Sequence, residues 1–314
     1  MKKLERDALL ADRDAVTRIL DSMNPDDILG QMSFKSRLSD IDARLEELAR
    51  STTTHAGSVA LLFGGKPVHG SRAIDANFAS DILKSYQDIL AKRVANDEVG
   101  RLGTRGPVPF QGATNLAITE VVRGSVGFML EEVCDNEALV DTAIKSAIDD
   151  ITTIMRWTSA TDEGGFEQAV ESLDPRLLDA LKRFFTTLDD RDATIRIVDD
   201  QSDESLNEQA VRRARLRIER TEIDERDDDD LVGRLLGLFP RGRRFEMELG
   251  TGEVIHGAVA ALISQRYDEL LSDPGTVPVG KTWRVKMRVR TIRERNKPDR
   301  NIYTLIGLLQ MLGE

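Results

Sequence analysis

In residues 282–292, TWRVKMRVRTI, apolar side chains alternate with polar or charged ones as far as Arg290. Because successive side chains of a β-strand point to opposite faces, this alternation predicts a half-buried strand. The face predicted to point inward carries Trp283, Val285, Met287 and Val289. The opposite face carries Arg284, Lys286, Arg288 and Arg290, which we call the basic ladder.

Further strand patterns lie on both sides of this segment. The predicted strands span residues 232–239, 244–249, 254–260 and 301–309. A helix is predicted over residues 261–271, between the third strand and the basic ladder. Three strands, a helix and two strands is the order of an OB-like barrel, with an SH3-like barrel as the alternative. We therefore predict that residues 231–314 form a small five-stranded β-barrel.

The preceding residues predict a mixed domain over 57–198, which makes the fold class α+β. A continuous apolar run at 58–63 is typical of a buried strand, and a loop and a helix over 74–94 follow it. Two β-runs at 115–122 and 126–133 predict a hairpin. Further helices and a strand over 193–198 complete this domain.

Residues 1–50 predict a helical segment. The stretch 3–23 lacks Gly and Pro, and the next helix carries an apolar stripe with a 4,3,4,3 spacing. The stripe consists of Phe34, Leu38, Ile41, Leu45 and Leu48. We favour an intramolecular hairpin, with a coiled-coil seam that forms a homo-oligomer through residues 33–50 as the alternative.

Residues 199–230 predict a basic helix flanked by two acidic linkers, 199–204 and 224–230. Like charges repel, so the second acidic run is predicted to be the domain boundary. The alternative is that these runs dock on the protein's own basic strand or on a basic partner.

Composition narrows the classes of function. Of 314 residues, 40% are hydrophobic and 32% charged, which is typical of a folded globular protein. A single cysteine, Cys134, excludes an intramolecular disulfide, and three histidines leave few ligands for zinc, so we expect no metal or cofactor. There is no apolar run of about 18 residues and the amino terminus is charged, so we expect a cytoplasmic protein without a membrane partner.

The charges divide unevenly along the sequence. Residues 231–314 contain 14 Lys/Arg and 9 Asp/Glu, a net charge of +5, whereas residues 1–230 contain 30 and 46, a net charge of −16. The overall charge of −11 argues against a general nucleic-acid coat, but a basic barrel could still bind phosphate locally.

The loop that follows the buried strand is a candidate anion-binding site. A glycine-rich loop between a strand and a helix can direct backbone N–H groups at an anion. The candidate residues are Gly64, Gly65, Lys66, His69, Ser71 and Arg72. The loop matches no standard phosphate-binding motif, and its glycines equally suit a tight structural crossover, which we favour.

The basic ladder, joined by Arg241, Arg243 and Arg244, is a candidate surface for nucleic acid or for an acidic partner. Its cations are spaced by about 6.6–6.8 Å along the strand, near the phosphate repeat of an extended single strand. The alternative is an internally paired ladder with Glu246 and Glu248. Trp283 and Tyr303 are the only good candidates for base stacking, which weakens the nucleic-acid interpretation.

Three segments carry a resemblance to a known family: LLFGGKPVHGSRAI at 61–74, GSVGFMLEE at 124–132, and RGRRFEMELGTGEVIHGAV at 241–259 followed by YTLIGLL. They resemble a family of bacterial proteins associated with mobile or defence-type gene neighbourhoods. The resemblance implies no activity and transfers no functional residues, but it favours a component of an anti-phage or conflict system.

We therefore expect a non-enzymatic binding or regulatory subunit whose partner is another protein, encoded nearby. The first alternative is a nucleic-acid-binding protein that acts through the barrel. The second is an enzyme that acts on a phosphorylated ligand at the Gly64–Arg72 loop.

Overall fold

The computed structural model describes residues 2–24, 27–50, 55–99, 102, 106–122, 126–133, 140–239, 242–260, 263 and 278–313. The chain divides into two compact units. Unit 1 comprises Met1–Ala169 and Asp179–Leu216, and unit 2 comprises Val170–Leu178 and Arg217–Glu314.

Seven α-helices and twelve strands lie in the described part of the chain. The helices are α1 (Lys2–Ser22), α2 (Ile28–Arg50), α3 (Ala76–Val99), α4 (Ala143–Ser159), α5 (Glu163–Glu171), α6 (Pro175–Asp190) and α7 (Glu208–Glu219). The strands are β1 (Ser58–Gly65), β2 (Val68–His69), β3 (Ala73–Ile74), β4 (Leu116–Val122), β5 (Val126–Glu132), β6 (Ala193–Val198), β7 (Asp203–Leu206), β8 (Thr221–Phe239), β9 (Arg244–Leu249), β10 (Val254–Val259), β11 (Thr282–Glu294) and β12 (Arg300–Gly313). The α+β class and the carboxyl-terminal barrel are confirmed.

Unit 1 is built on an antiparallel sheet with the strand order β4–β5–β1–β6–β7. The central strand β1 is buried from Ser58 to Phe63. Phe63 packs edge-on against Phe78 of α3, with ring centroids 5.5 Å apart. A separate cluster contains Leu62, and Leu4 of α1 packs against it. Because helices supply apolar side chains on both sides of β1, its sequence is continuously apolar instead of alternating.

Helices α1 and α2 pack against each other as a hairpin. Three ion pairs cross between them: Arg13–Asp42 at 2.7 Å, Arg37–Asp12 at 2.9 Å and Arg44–Glu5 at 2.8 Å. Ile41, in the middle of the apolar stripe, is only 5% exposed, and the other four stripe residues are half-buried. The stripe therefore packs within the chain, and oligomerisation through residues 33–50 stays a prediction.

Unit 2 contains a closed barrel with the strand order β10–β12–β11–β8–β9. Strands β10 and β12 pair in parallel, from Gly257 opposite Tyr303 to Val259 opposite Leu305. The third and fifth barrel strands are therefore neighbours, which is the order of an OB-fold and not of the SH3-like alternative. The four predicted inward residues of β11 all belong to the buried core. The helix predicted over 261–271 lies outside the described residues, apart from Ile263.

The acidic run 224–230 is not a linker, so this prediction is wrong. The run lies within β8, a strand of 19 residues that begins at Thr221, ten residues before the predicted start of the barrel. The strand forms because β11 lies opposite, with Arg288 across from Asp227 and Arg290 across from Glu225. Unlike charges on adjacent strands stabilise a sheet, which offsets the repulsion along the run.

The first acidic run is also structured. Residues from Asp203 onward form β7, which pairs with β6. Arg196 of β6 donates to both carboxylate oxygens of Asp203, at 2.7 and 2.6 Å. The basic helix α7 lies within the predicted range. The predicted element of 199–230 is therefore divided between a sheet strand, a helix and the first barrel strand.

Replacement of Ile41 by alanine tests the hairpin. Ile41 is buried, so Ile41→Ala leaves a cavity between α1 and α2 and is expected to lower the free energy of unfolding by about 2–5 kcal/mol. Urea denaturation measures the change. Leu29→Ala on the same helix is the control, because Leu29 is exposed and its truncation is expected to change stability by less than about 0.5 kcal/mol. Equal stability of Ile41→Ala and the wild-type protein would contradict the packing.

Candidate functional site

The basic ladder is neutralised by the acidic strand beside it. Glu225 of β8 has a side chain that is only 5% exposed. Its Oε2 accepts hydrogen bonds from Arg290 Nε and Nη2, both at 3.2 Å, and its Oε1 lies 3.6 Å from Arg288 Nε. Arg288 Nε also lies 3.3 Å from Asp227 Oδ1. Glu225 is thus a shared acceptor for two cations of the ladder.

The rest of the ladder is only partly free. Lys286 Nζ lies 3.2 Å from Asp229 Oδ1, so a third cation is paired, whereas Arg284 is exposed. The ladder is thus paired within the protein, as the alternative predicted, but its partners lie on β8 and not on β9. The partners expected on β9, Glu246 and Glu248, lie on a strand that pairs with β8 and β10 and not with β11.

The other residues of the predicted barrel surface do not complete a nucleic-acid site. Arg243 and Arg244 are exposed at the start of β9, and Arg241 lies outside the described residues. Trp283 is buried and its Nε1 donates to the carbonyl oxygen of Pro278 at 2.9 Å. Tyr303 packs against the barrel core. Neither aromatic ring is therefore presented for stacking on a base.

The net charge assigned to the barrel depends on the residue at which the carboxyl-terminal part of unit 2 begins, which is 217 and not 231. Residues 217–230 contain 3 Lys/Arg and 8 Asp/Glu, and residues 231–314 contain 14 and 9. The stretch 217–314 therefore carries 17 of each and has no net charge. The net charge of +5 inferred from a boundary at residue 231 does not describe the folded unit, and long-range attraction of a polyanion loses its basis.

Two glycines of the candidate anion loop, Gly64 and Gly65, lie at the end of β1 where it pairs with β6. A Cβ on Gly64 would lie 2.6 Å from Thr194 Oγ1, and one on Gly65 would lie 2.1 Å from the carbonyl oxygen of Asp192. Gly65 also has a φ of +86°, a conformation that L side chains rarely adopt. Close approach of the Asp192 backbone explains Gly65 without a ligand, whereas Gly64 faces the Thr194 side chain.

The charged residues of this loop have partners within the protein. Lys66 Nζ lies 2.5 Å from Asp192 Oδ2, and this hydrogen bond raises the pKa of Lys66. His69 Nε2 lies 2.9 Å from Asp75 Oδ1 at the start of α3. Ser71 and Arg72 are exposed in the turn between β2 and β3. The structure thus does not gather the six predicted residues around one anion.

A buried polar cluster in unit 1 was missed by the sequence analysis. Asp199, which directly follows β6, is almost fully buried; its Oδ1 accepts from the backbone N–H groups of Gln201 and Ser202. Its Oδ2 and the hydroxyl of the buried Tyr86 have no hydrogen-bond partner among the described residues. Burial, followed by the charge of Asp199, raises the pKa of Asp149 to about 6. The sequence signal that could have revealed this cluster is Asp199, an acidic residue that directly follows an apolar strand.

The end of the helical hairpin carries the most exposed large apolar side chain in the described part of the chain. Leu29 is 82% exposed, Ile28 is 67% exposed and Met32 is 63% exposed. Residues three and four apart lie on one helix face, so these side chains form a continuous surface, which we call the apolar tip. Isolated exposed apolar residues are common, but a contiguous group marks an interaction site.

The apolar tip is held in place by the turn before α2. The Oδ1 of Asp27 accepts from the backbone N–H of Gly30 at 3.0 Å, and the Asp27 carbonyl oxygen accepts from the N–H of Gln31. Gln31 Nε2 in turn donates to the carbonyl oxygen of Asn24 at 3.3 Å. The side chains of the tip therefore project from a capped helix.

Within the described ranges, no three or more His, Cys, Asp or Glu residues are grouped as metal ligands. No described helix has the length and apolar character needed to cross a bilayer.

No protein-family model matches the chain, and neither a curated protein nor a solved structure matches it. The resemblance to a family from defence-type gene neighbourhoods therefore stays a prediction.

The shared acceptor Glu225 gives a stability prediction. Glu225→Gln removes the charge that compensates Arg290, and loss of one partner of a buried ion pair is expected to cost about 3–5 kcal/mol. Asp230→Asn is the matched control, because Asp230 belongs to the same acidic run but is exposed. Thermal and urea denaturation measure both variants. If the two substitutions had the same small effect, Glu225 would not stabilise the pairing of β8 with β11.

Asp149 gives a prediction of pH dependence. Its folded-state pKa of about 6 lies above that of an unfolded Asp, so its protonation favours the folded state at low pH and this stabilisation is lost as the pH rises through 6. Asp149→Asn cannot titrate. The melting temperature of the variant relative to wild type is therefore expected to increase from pH 5 to pH 8. A difference between Asp149→Asn and wild type that stays constant over this pH range would refute the assignment.

Proposed function

We propose that this protein is a non-enzymatic binding or regulatory subunit that docks on another protein through the apolar tip. The observation that carries the proposal is the exposure of Ile28, Leu29 and Met32 on one turn of a capped helix. Exposed apolar side chains lower the free energy of a complex when they leave water, and a fixed backbone reduces the entropy cost of binding.

The charge around the apolar tip defines the chemistry of the partner. Among the described residues of 19–32, Asp21 and Asp27 are exposed and none is a lysine or arginine; the first cation beyond them on α2 is Lys35. An apolar surface with an acidic rim complements an apolar groove edged by lysine or arginine. The proposed partner is therefore a protein with a basic-rimmed apolar groove, into which the end of the hairpin inserts.

The two alternatives receive less support from the geometry. Nucleic-acid binding through the barrel depended on a basic ladder, of which three cations are paired with β8. An enzyme at the Gly64–Arg72 loop depended on a phosphate cradle, and Gly65, Lys66 and His69 have structural explanations. That the partner belongs to an anti-phage or conflict system and is encoded nearby is part of the proposal, and it rests on the resemblance alone.

Site-specific crosslinking in the native host, followed by reconstitution, tests the docking. A photoreactive p-benzoylphenylalanine at position 29 is expected to capture one recurrent protein. The same group at position 39, an exposed serine ten residues beyond Leu29 on the same helix, is the control and should not capture it. The captured protein is then purified and titrated with the wild-type chain and with Leu29→Asp.

Burial of a leucine contributes about 1.5–3 kcal/mol, so Leu29→Asp is expected to weaken binding by roughly 10- to 100-fold. Ser39→Asp, which adds the same charge to the same helix away from the tip, should bind as the wild type does. Leu29 is exposed, so the melting temperature of Leu29→Asp should be unchanged, which separates binding from folding. Equal affinity of wild type and Leu29→Asp for the captured protein would overturn the proposal.

A further inference from the structure

Unit 2 contains a small polar cavity that the proposed function does not use. The cavity has a volume of about 190 Å³ and is lined, among the described residues, by Arg220, Arg295 and Asn296. Pockets for drug-sized ligands span roughly 300–1,000 Å³, so this cavity fits a smaller group. The two arginine side chains can only donate hydrogen bonds, and the Asn296 amide can donate through its nitrogen and accept through its oxygen.

The backbone fixes the two arginines next to each other. Arg220 follows the last residue of α7, and Arg295 lies in the turn between β11 and β12. The backbone N–H of Arg295 donates to the carbonyl oxygen of Arg220 at 3.2 Å. Asn296 has a φ of +70°, a left-handed conformation that Asn adopts more readily than most residues, and it directs the turn around the cavity.

Two of the nearby carboxylates are engaged elsewhere. Glu294 lies 3.2 Å from Lys297, and Asp299 lies 3.3 Å from Arg293. In the described residues, Arg220 and Arg295 make no ion pair of their own, which distinguishes them from the paired cations of the ladder. Two like charges at one cavity raise each other's energy, and an anion between them would remove that cost.

We infer that the cavity binds a phosphate group, held by the guanidinium groups of Arg220 and Arg295 and the side-chain amide of Asn296. Arginine is suited to this role because its planar fork of donors matches the oxygens of phosphate and its charge persists at every physiological pH. The phosphate group belongs either to a small phosphomonoester or free phosphate, or to the backbone of a nucleic acid. This site is independent of the apolar tip, so either proposal can fail alone.

Titration calorimetry of the full chain with inorganic phosphate tests the site. Saturable binding is expected for the wild type, and at least tenfold weaker binding for Arg220→Gln and for Arg295→Gln. Arg284→Gln, an exposed arginine of the same barrel, removes the same charge and is expected to keep wild-type affinity. Arg295→Lys keeps the charge but loses the fork, so it is expected to fall between Arg295→Gln and the wild type. Melting temperatures identify any variant that fails to fold, and Arg295→Lys then serves as the second test.

A single-stranded oligonucleotide distinguishes the two sources of phosphate. If the source is a nucleic acid, the oligonucleotide binds more tightly than inorganic phosphate, and each Gln variant reduces the slope of log affinity against log salt by about one. If the source is a small phosphate compound, the oligonucleotide binds no better than inorganic phosphate. Absence of saturable phosphate binding, or an equal loss in Arg284→Gln, would overturn the inference.

Discussion

The barrel of unit 2 depends on the pairing of an acidic strand with a basic one. Glu225, almost fully buried, accepts hydrogen bonds from Arg290 and lies beside Arg288, while Asp227 pairs with Arg288 at the next position of that face. Buried ion pairs stabilise little overall, because desolvation offsets much of their attraction, but their geometry is specific. A shift of one residue would turn each carboxylate to the opposite face, so the charges fix the register of β8 against β11.

The pairing of β8 with β11 changes the conclusion that can be drawn from the distribution of charge along the sequence. Along the sequence, an acidic part (residues 1–230) precedes a basic part (residues 231–314), and this order suggests a phosphate-binding barrel. In the fold, the most acidic segment and the most basic segment are neighbouring strands, and residues 217–314 have no net charge. Cations that make no ion pair within the described part of the chain, such as Arg220 and Arg295, are therefore more informative about ligands than the basic ladder.

The two proposed surfaces lie in different units and bind through different kinds of interaction. The apolar tip of unit 1 lowers its free energy by leaving water, and its acidic rim selects a cationic partner surface. The cavity of unit 2 uses charge and directional hydrogen bonds toward one small group.

The sequence by itself determined much of the secondary structure and the inward face of the barrel. The alternation of 282–292 placed Trp283, Val285, Met287 and Val289 in the core, and the run at 58–63 identified the central strand of unit 1. Such features were predictable because local periodicity reflects burial directly.

Only the tertiary structure decided which charges are free and where the units divide. The acidic run 224–230 resembles a solvated linker because its repulsion is local, whereas its partners on β11 are some 60 residues away in the sequence. The apolar tip could not be predicted either. In the sequence, Ile28, Leu29 and Met32 resemble ordinary core positions, and only the structure shows that they are exposed at the end of the hairpin. Arg220 and Arg295 meet only because β8 pairs with β11. Contacts between distant segments decided each of these points, and no local pattern reports such contacts.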